Sequence, residues 1–242
     1  MPNYAYTIRD ATGSVIPGTS EAENEDILRR RLTEQGFSVV EVKQIKSTQK
    51  KTKEALSMRI SLITDECTHD PFTALELGKR WGINHFEIRY AHRWRVPEGP
   101  AWAADQVAAA VKAYGVTVTA ISPGLFKPVM RTDGSKIPLT TETPAEIRRH
   151  LDELLPRFFD FAARLGTRNI TVFALPKPAE AGGAPPAVVI DSLAEAAGKA
   201  ASAGFTLLLE NGQGSWADTG AASRAILEKV HSPALRMTWD PA

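Results

Sequence analysis

One cysteine, Cys67, stands among 242 residues, which excludes an internal disulfide and a cysteine-held zinc site and favours a reducing compartment. Neither sign of charge prevails. Twenty-nine Lys and Arg against 28 Asp and Glu leave no overall field that would point to nucleic acid or an anionic membrane as the main partner. No apolar run approaches the roughly 20 residues that span a bilayer. The start, Met1-Pro2-Asn3-Tyr4, lacks a basic stretch followed by an apolar core, so no signal peptide is expected and the cytoplasm is the default. Five histidines, His69, His85, His92, His150 and His231, are scattered rather than clustered. Cys67 reads as a small residue near a strand end, because no partnered histidine is recognisable beside it in sequence. What the chain does have, 43% hydrophobic and 24% charged residues, is enough to bury a core in one large domain or one large and one small.

The pattern along the chain divides into three. Residues 1–46 read as a small α+β module: a strand (YAYTIRD), a turn at Ala11-Thr12-Gly13, a second extended piece, a helix over about 24–35 ended by Gly36, and an alternating strand (FSVVEVKQI). Residues 47–57, which overlap the polar, lysine-rich run KSTQKKTKEAL at 46–56, read as a linker. A phosphate-binding patch is the functional alternative there, but aromatic residues that would stack on bases are missing.

From residue 58 the rhythm changes to strand, helix, strand, helix. Strands are expected at RISLIT, HFEIRY, VTVTAI, NITVFAL, FTLLLE and ALRMTW, with helices beginning near Pro71, Ala101, Pro144, Ala187 and Gly220. Asp70-Pro71 places a capping side chain before a first-turn proline, Thr143-Pro144-Ala145-Glu146 spells a capping box, and Pro156 should kink the third helix. Apolar strands joined by helical crossovers require a parallel sheet with helices packed on it.

Ligands of parallel α/β folds gather at the C-terminal ends of the strands. Those ends carry Asp65 and Glu66; Glu87, Arg89 and His92; Ser122; Lys177; Glu210 and Asn211; and Asp240. In LLLENGQGSWADTG and in ALRMTWDPA a carboxylate follows an apolar strand at the point where it should reach solvent. Two carboxylates on neighbouring strand ends can share a hard divalent cation; alternatively each caps a helix or pairs with a cation. His92 with Arg89, Arg93 and Arg95 can bind a phosphate or carboxylate, although a solvated basic loop is the commoner outcome. Gly212-Gln213-Gly214-Ser215-Trp216-Ala217 also matches the dinucleotide pattern G-x-G-x-x-A, but Trp216 is bulky for such a loop and Asp218 puts negative charge where phosphate should sit.

The stretch LLLEN-GQGSWADTG, a helix, then SPALRMTWDPA is similar to the xylose isomerase-like TIM-barrel family, and RISLITDE, HFEIR and LGTRNITV extend the resemblance over residues 58–242. It implies an α/β fold, a partial (β/α)8 TIM barrel of about six βα units, and a sugar phosphate or cyclitol isomerase or epimerase that moves a proton through an enediolate. Carried over residue by residue, Glu210 and Asp240 become ligands of a divalent metal (Mn, Mg, Co or Zn), Glu210 also a proton-transferring carboxylate, and Glu87, His92, Lys177 and Asn211 substrate-binding residues. The partner implied is a small sugar or polyol, with no nucleic acid and no membrane. The family's remaining ligands, a histidine after strand six and a glutamate on strand eight, have no counterpart here. The expectation is therefore an inert chain whose open sheet edge promotes self-association. The module at 4–45, with aromatic-x-aromatic, D-x-x-G, G-T-S-E-A and E-Q-G-F-S-V-V-E-V, resembles the extreme N-terminus of type II secretion and type IV pilus F proteins. A second reading follows from that: a non-catalytic interaction protein that docks through this module.

Overall fold

The computed structural model describes residues 2–10, 13–45, 59–128 and 139–241, arranged in two compact units, 1–58 and 59–242. Ala11 and Thr12 of the expected turn and the expected linker at 47–57 lie outside the described residues.

In the first unit β1 (Asn3–Arg9) is the middle strand, antiparallel to β2 (Val15–Glu21) on one side and to β3 (Ser38–Ile45) on the other. Helix α1 (Glu25–Glu34) starts where Asn24 Oδ1 accepts the Ile27 amide at 2.9 Å, with Glu25 and Asp26 stabilising the positive end of the helix. Leu28 and Leu32, one turn apart, pack with Tyr4, Ile8, Ala22 and Val42 into a small core. Val15, Ile16 and Val40 remain exposed. Gly18 lies so close under the Tyr6 ring that a Cβ there would approach it to 2.5 Å, so the cross-strand pair Tyr6–Gly18 admits no larger residue.

The second unit is built on β4 (Ser61–Ile63), β5 (His85–Ile88), β8 (Thr117–Leu125), β9 (Asn169–Val172), β10 (Thr206–Glu210) and β11 (Leu235–Thr238), all parallel and in sequential order across one sheet. The crossovers are α2 (Pro71–Arg80), α3 (Ala101–Tyr114), α4 (Pro144–Arg149) continuing through a π turn into α5 (Leu155–Arg164), α6 (Ala187–Ala203) and α7 (Gly220–Val230). Side chains alternate along each strand. Phe86, Ile88, Val118, Ile121, Ile170, Val172, Leu207, Leu209 and Leu235 join Leu75, Val107, Phe158, Leu193 and Ile226 of the helices in one buried core. Several alternate positions are polar, and some bond across strands: Ser61 to Thr119 at 2.9 Å, and Asn169 Nδ2 to the Thr119 carbonyl at 2.9 Å. This sequential parallel sheet, each strand followed by a helix, is a partial (β/α)8 barrel. Among the described residues no helix is long and apolar enough to cross a membrane.

Several local expectations need correction. RISLIT gives only three strand residues before a 3-10 turn, Thr64–Glu66, takes over. HFEIRY breaks at Arg89, and a hairpin follows, β6 (Tyr90–Ala91) against β7 (Trp94–Arg95), with His92 at φ 55° in its turn. Asp70 caps α2 as expected, accepting the Thr73 amide at 2.8 Å, but the capping box at Thr143 does not form. The Thr143 hydroxyl is already engaged by Thr140, and Glu146 turns to Arg149 at 2.6 Å. The disturbance expected at Pro156 falls one turn earlier, as the π turn His150–Leu154, which accommodates the amide that the proline lacks.

Candidate active site

The C-terminal ends of β4, β5, β8, β9, β10 and β11 bring a dense set of charges to one rim. Asp65, on the 3-10 turn after β4, is nearly enclosed and binds Arg89, which lies just past β5: Nε donates to Oδ2 at 2.8 Å, and Nη2 also meets Glu66 at 2.5 Å. Burial pulls the Arg89 guanidinium toward its neutral form, but these two carboxylates outweigh it and hold its pKa above the ordinary value.

Glu87 sits at a register shift between β5 and β8, an irregularity that re-aims a side chain at a sheet rim. Its Oε1 lies 3.5 Å from the Thr171 hydroxyl of β9. Burial, then the charge of Glu210, pushes the Glu87 carboxyl above the usual carboxylate range. Glu210 ends β10, and its carboxyl is likewise raised by burial and by Asp240, with Lys127, Arg95 and Arg89 opposing. Asp240 lies past the end of β11, and its position is fixed through its backbone: Asn211 donates to the Asp240 carbonyl at 2.6 Å and accepts the Asp240 amide at 2.8 Å. The reciprocal bonds tie the ends of β10 and β11 together and set both carboxylates on neighbouring strand ends, where Glu210 feels the charge of Asp240.

Lys127 follows β8, whose end is bent by Gly124 at φ 88° and Phe126 at φ 62°, and the Phe126 amide donates to His150 Nδ1 at 3.0 Å. Burial lowers the His150 pKa to about 4, so the imidazole is neutral and accepts this bond at neutral pH. Arg95, on β7, reaches to β8, Nε donating to the Ser122 carbonyl at 2.9 Å and Nη2 to its hydroxyl at 3.2 Å.

The structure thus groups Glu87, Glu210, Asn211 and Asp240. It turns His92 elsewhere: Nε2 bonds Gln106 of α3 at 2.7 Å and the ring lies 5.0 Å from Trp102. Lys177 pairs with Asp218 at 2.9 Å beside the Trp216 ring. That pairing engages the acidic residue of the G-x-G-x-x-A stretch, and α7 begins later, capped by Thr219, with Trp216 buried, so the stretch forms no phosphate loop. The expected solvated basic loop is corrected too: Arg89 is paired, Arg95 is half-buried, and Arg93 alone of the three is exposed. Lys127, Phe173 and Thr171 were not legible as site residues. β8 runs four residues beyond the expected VTVTAI, which carries its end, and Lys127 with it, to the rim.

Among the described residues, no three His, Cys, Asp or Glu side chains converge closely enough to hold a metal ion. Glu210 and Asp240 offer two hard oxygen donors of suitable chemistry, but the described residues do not make up a complete divalent site.

No curated protein sequence matches this chain. Several solved structures share its fold. The probable 3-DHS dehydratase AsbF of Bacillus anthracis is 17% identical, with a TM-score of 0.55, covering 76% of this chain and 63% of that one. The AP endonuclease, family 2, of Brucella melitensis is 18% identical, with a TM-score of 0.55 over 74% of this chain and 67% of that one. The D-allulose 3-epimerase of Methylomonas sp. is 19% identical, with a TM-score of 0.53 over 76% and 63%. The chain therefore spans 63% of the length of the dehydratase and of the epimerase. Residues 1–43 match the family model described as type II secretion system protein F, N-terminal domain. Residues 75–242, well over half of the chain, match the model of the xylose isomerase-like TIM barrel, and the chain belongs to that family.

Proposed function

We propose that residues 59–242 are the barrel part of a sugar or polyol isomerase or epimerase, which moves a proton between a carbon and its solvent-exchangeable surroundings next to a carbonyl. The observation that carries this reading is the placement of Glu210 at the end of β10, partly buried, beside Asp240 and across from Glu87 in charge terms. A carboxylate used as a base works best when its pKa is raised toward the working pH, and both Glu210 and Glu87 are raised. Glu210 takes the proton as the C–H bond breaks. Glu87, its carboxyl also pushed up by burial and by the charge of Glu210, gives its proton to the carbonyl oxygen, forming the enediol. Reversal of these transfers at the neighbouring carbon completes isomerisation, whereas epimerisation takes the returning proton from a second donor, a further acid or water, on the opposite face of the same carbon. Asn211 acts as a positioning residue through the Asp240 backbone. A divalent metal belongs to the reading only as far as Glu210 and Asp240, which would supply two of its oxygen ligands and with it a Lewis acid for the carbonyl.

The test is exchange of substrate C–H for deuterium in heavy water, followed by proton NMR over a panel of ketohexoses and their phosphates, with and without Mn²⁺. Signal loss at the carbon next to the carbonyl, reduced about a hundredfold or more in Glu210→Gln, supports the reading and overturns the expectation of an inert chain. Exchange that Glu210→Gln leaves unchanged would sink the assignment. The match of residues 1–43 to a secretion-protein domain favours a second reading, in which that unit docks a partner. Specific capture by residues 1–58 alone, in the absence of any exchange activity, would favour it.

A further inference from the structure

Three cations reach the rim beside Glu210, and they are held in two different ways. Arg89 is neutralised by Asp65 and Glu66. Arg95 and Lys127 form no ion pair among the described residues. Arg95 is fixed by the neutral Ser122, and its guanidinium stands 5.5 Å from the Tyr90 ring and 5.8 Å from the Phe173 ring. Lys127 Nζ stands 3.6 Å from the centroid of the same Phe173 ring, which is buried just past β9.

The arrangement is built. A Cβ on Gly124 would come within 2.9 Å of Arg95 Nε, so the strand end accepts this guanidinium only because residue 124 is glycine at φ 88°. Phe126 takes a left-handed backbone conformation uncommon for a large residue, held by the bond to His150, and the next side chain is Lys127. Ring-face attraction stabilises each cation only weakly, while two like charges against one ring repel. Glu210 is near enough to feel both charges and is hydrogen-bonded to neither. An oxyanion between Arg95 and Lys127 would remove the repulsion and supply the acceptor that the free edge of the guanidinium lacks.

We propose that Arg95 and Lys127, set against Phe173, form a subsite for an anionic group, phosphate or carboxylate, on the substrate handled by Glu210. The proposal rests on the isomerase reading for the word substrate, but the subsite itself is tested by binding alone.

Calorimetric titration of the full chain with inorganic phosphate, D-fructose 6-phosphate, D-gluconate and D-fructose provides the arms. An anionic sugar is expected to bind at least about tenfold more tightly than D-fructose, with affinity falling as salt rises. Preference for D-fructose 6-phosphate assigns a phosphate, preference for D-gluconate a carboxylate. Lys127→Gln, whose only described side-chain contact is the ring, and Arg95→Lys, which keeps the charge and loses the fork, should each weaken anion binding about tenfold and leave D-fructose unchanged. Thermal melts confirm that both variants fold. Failure of inorganic phosphate and both anionic sugars to bind, or anion binding indifferent to both variants, overturns the subsite. Anion binding without C–H exchange refutes the isomerase reading and leaves the subsite standing; exchange with no anion preference does the reverse.

Discussion

The two units of this chain bury their apolar residues in opposite ways. Residues 2–45 pack six side chains, from Tyr4 to Val42, between one helix and an antiparallel sheet, and leave Val15, Ile16 and Val40 at the surface. Residues 59–241 enclose a continuous core between a parallel sheet and its helices, and bring charged side chains to the rim at the strands' C-terminal ends. A parallel sheet must carry helical crossovers, so it acquires a thick core and a ligand-binding edge together. A small antiparallel sheet needs only tight turns, and it acquires neither. The larger unit is thus where carboxylates and cations come close enough to shift one another, at the rim that its strand ends form.

Core truncation breaks the comparison most severely. Phe158 is fully buried among the helices of the larger core and Leu28 is fully buried in the smaller. Phe158→Ala is expected to cost about 3–5 kcal/mol and Leu28→Ala about 2–5 kcal/mol, but the smaller unit has far less to lose. The expected result is that Leu28→Ala melts its whole unit while Phe158→Ala only lowers the stability of its own. All five tryptophans lie in the larger unit, so tryptophan fluorescence in urea reports that unit, and hydrogen exchange of residues 2–45 reports the other. A shift of the tryptophan transition in Leu28→Ala as large as in Phe158→Ala would show that the two do not unfold separately.

Electrostatics sharpens the contrast at intermediate size. Burial raises the Glu98 carboxyl from 4.5 to about 7 against the opposing charges of Arg149, Arg95 and Arg157, with Glu146 adding to the rise. A carboxyl raised on folding favours the fold while it is protonated. Its contribution is full below the unfolded value near 4.5 and is lost as pH rises through about 7. Glu98→Gln, neutral at every pH, should therefore stabilise the larger unit above neutrality by on the order of 3 kcal/mol at most, and change little at acid pH. Urea midpoints by tryptophan fluorescence at about pH 4.5 and about pH 8.5 measure this, and equal shifts at both would refute it.

The fold was legible because crossover rhythm is a long-range signal: six apolar strands separated by helices leave few arrangements, and the sequential sheet follows. Glu210, Asn211 and Asp240 were legible as strand-end residues for the same reason. The rest depended on contacts between residues far apart in sequence. Nothing local in HFEIRYAHRWR tells that Arg89 would find Asp65 while Arg95 turned under Ser122, since the choice is made by a two-residue hairpin and by the bend at Gly124. The same holds for the failed capping box, where Thr140, outside the motif, took the Thr143 hydroxyl. Pairwise competition for one donor or acceptor is invisible to spacing rules.

The smallest effect separates the units by chemistry rather than size, at two helix starts. Asn24 Oδ1 accepts the Ile27 amide at 2.9 Å, and Asp70 Oδ1 accepts the Thr73 amide at 2.8 Å, so the two caps are the same bond made by a neutral and by a charged acceptor. Replacing either residue by alanine should cost about 1 kcal/mol at neutral pH. Only one cost should titrate. The backbone and side-chain bonds of Thr73 hold the Asp70 carboxyl below its ordinary 3.8, which means that its contribution is present above that value and is lost as pH falls through the lowered one. Asp70→Ala should thus be nearly harmless in strong acid and destabilising at neutral pH, Asp70→Asn should restore most of the loss, and Asn24→Ala should cost the same throughout. Hydrogen exchange of α1 and α2 measured across the acid range decides it. A pH-dependent penalty for Asn24→Ala, or a flat one for Asp70→Ala, would mean that the helix ends are stabilised by something other than these caps.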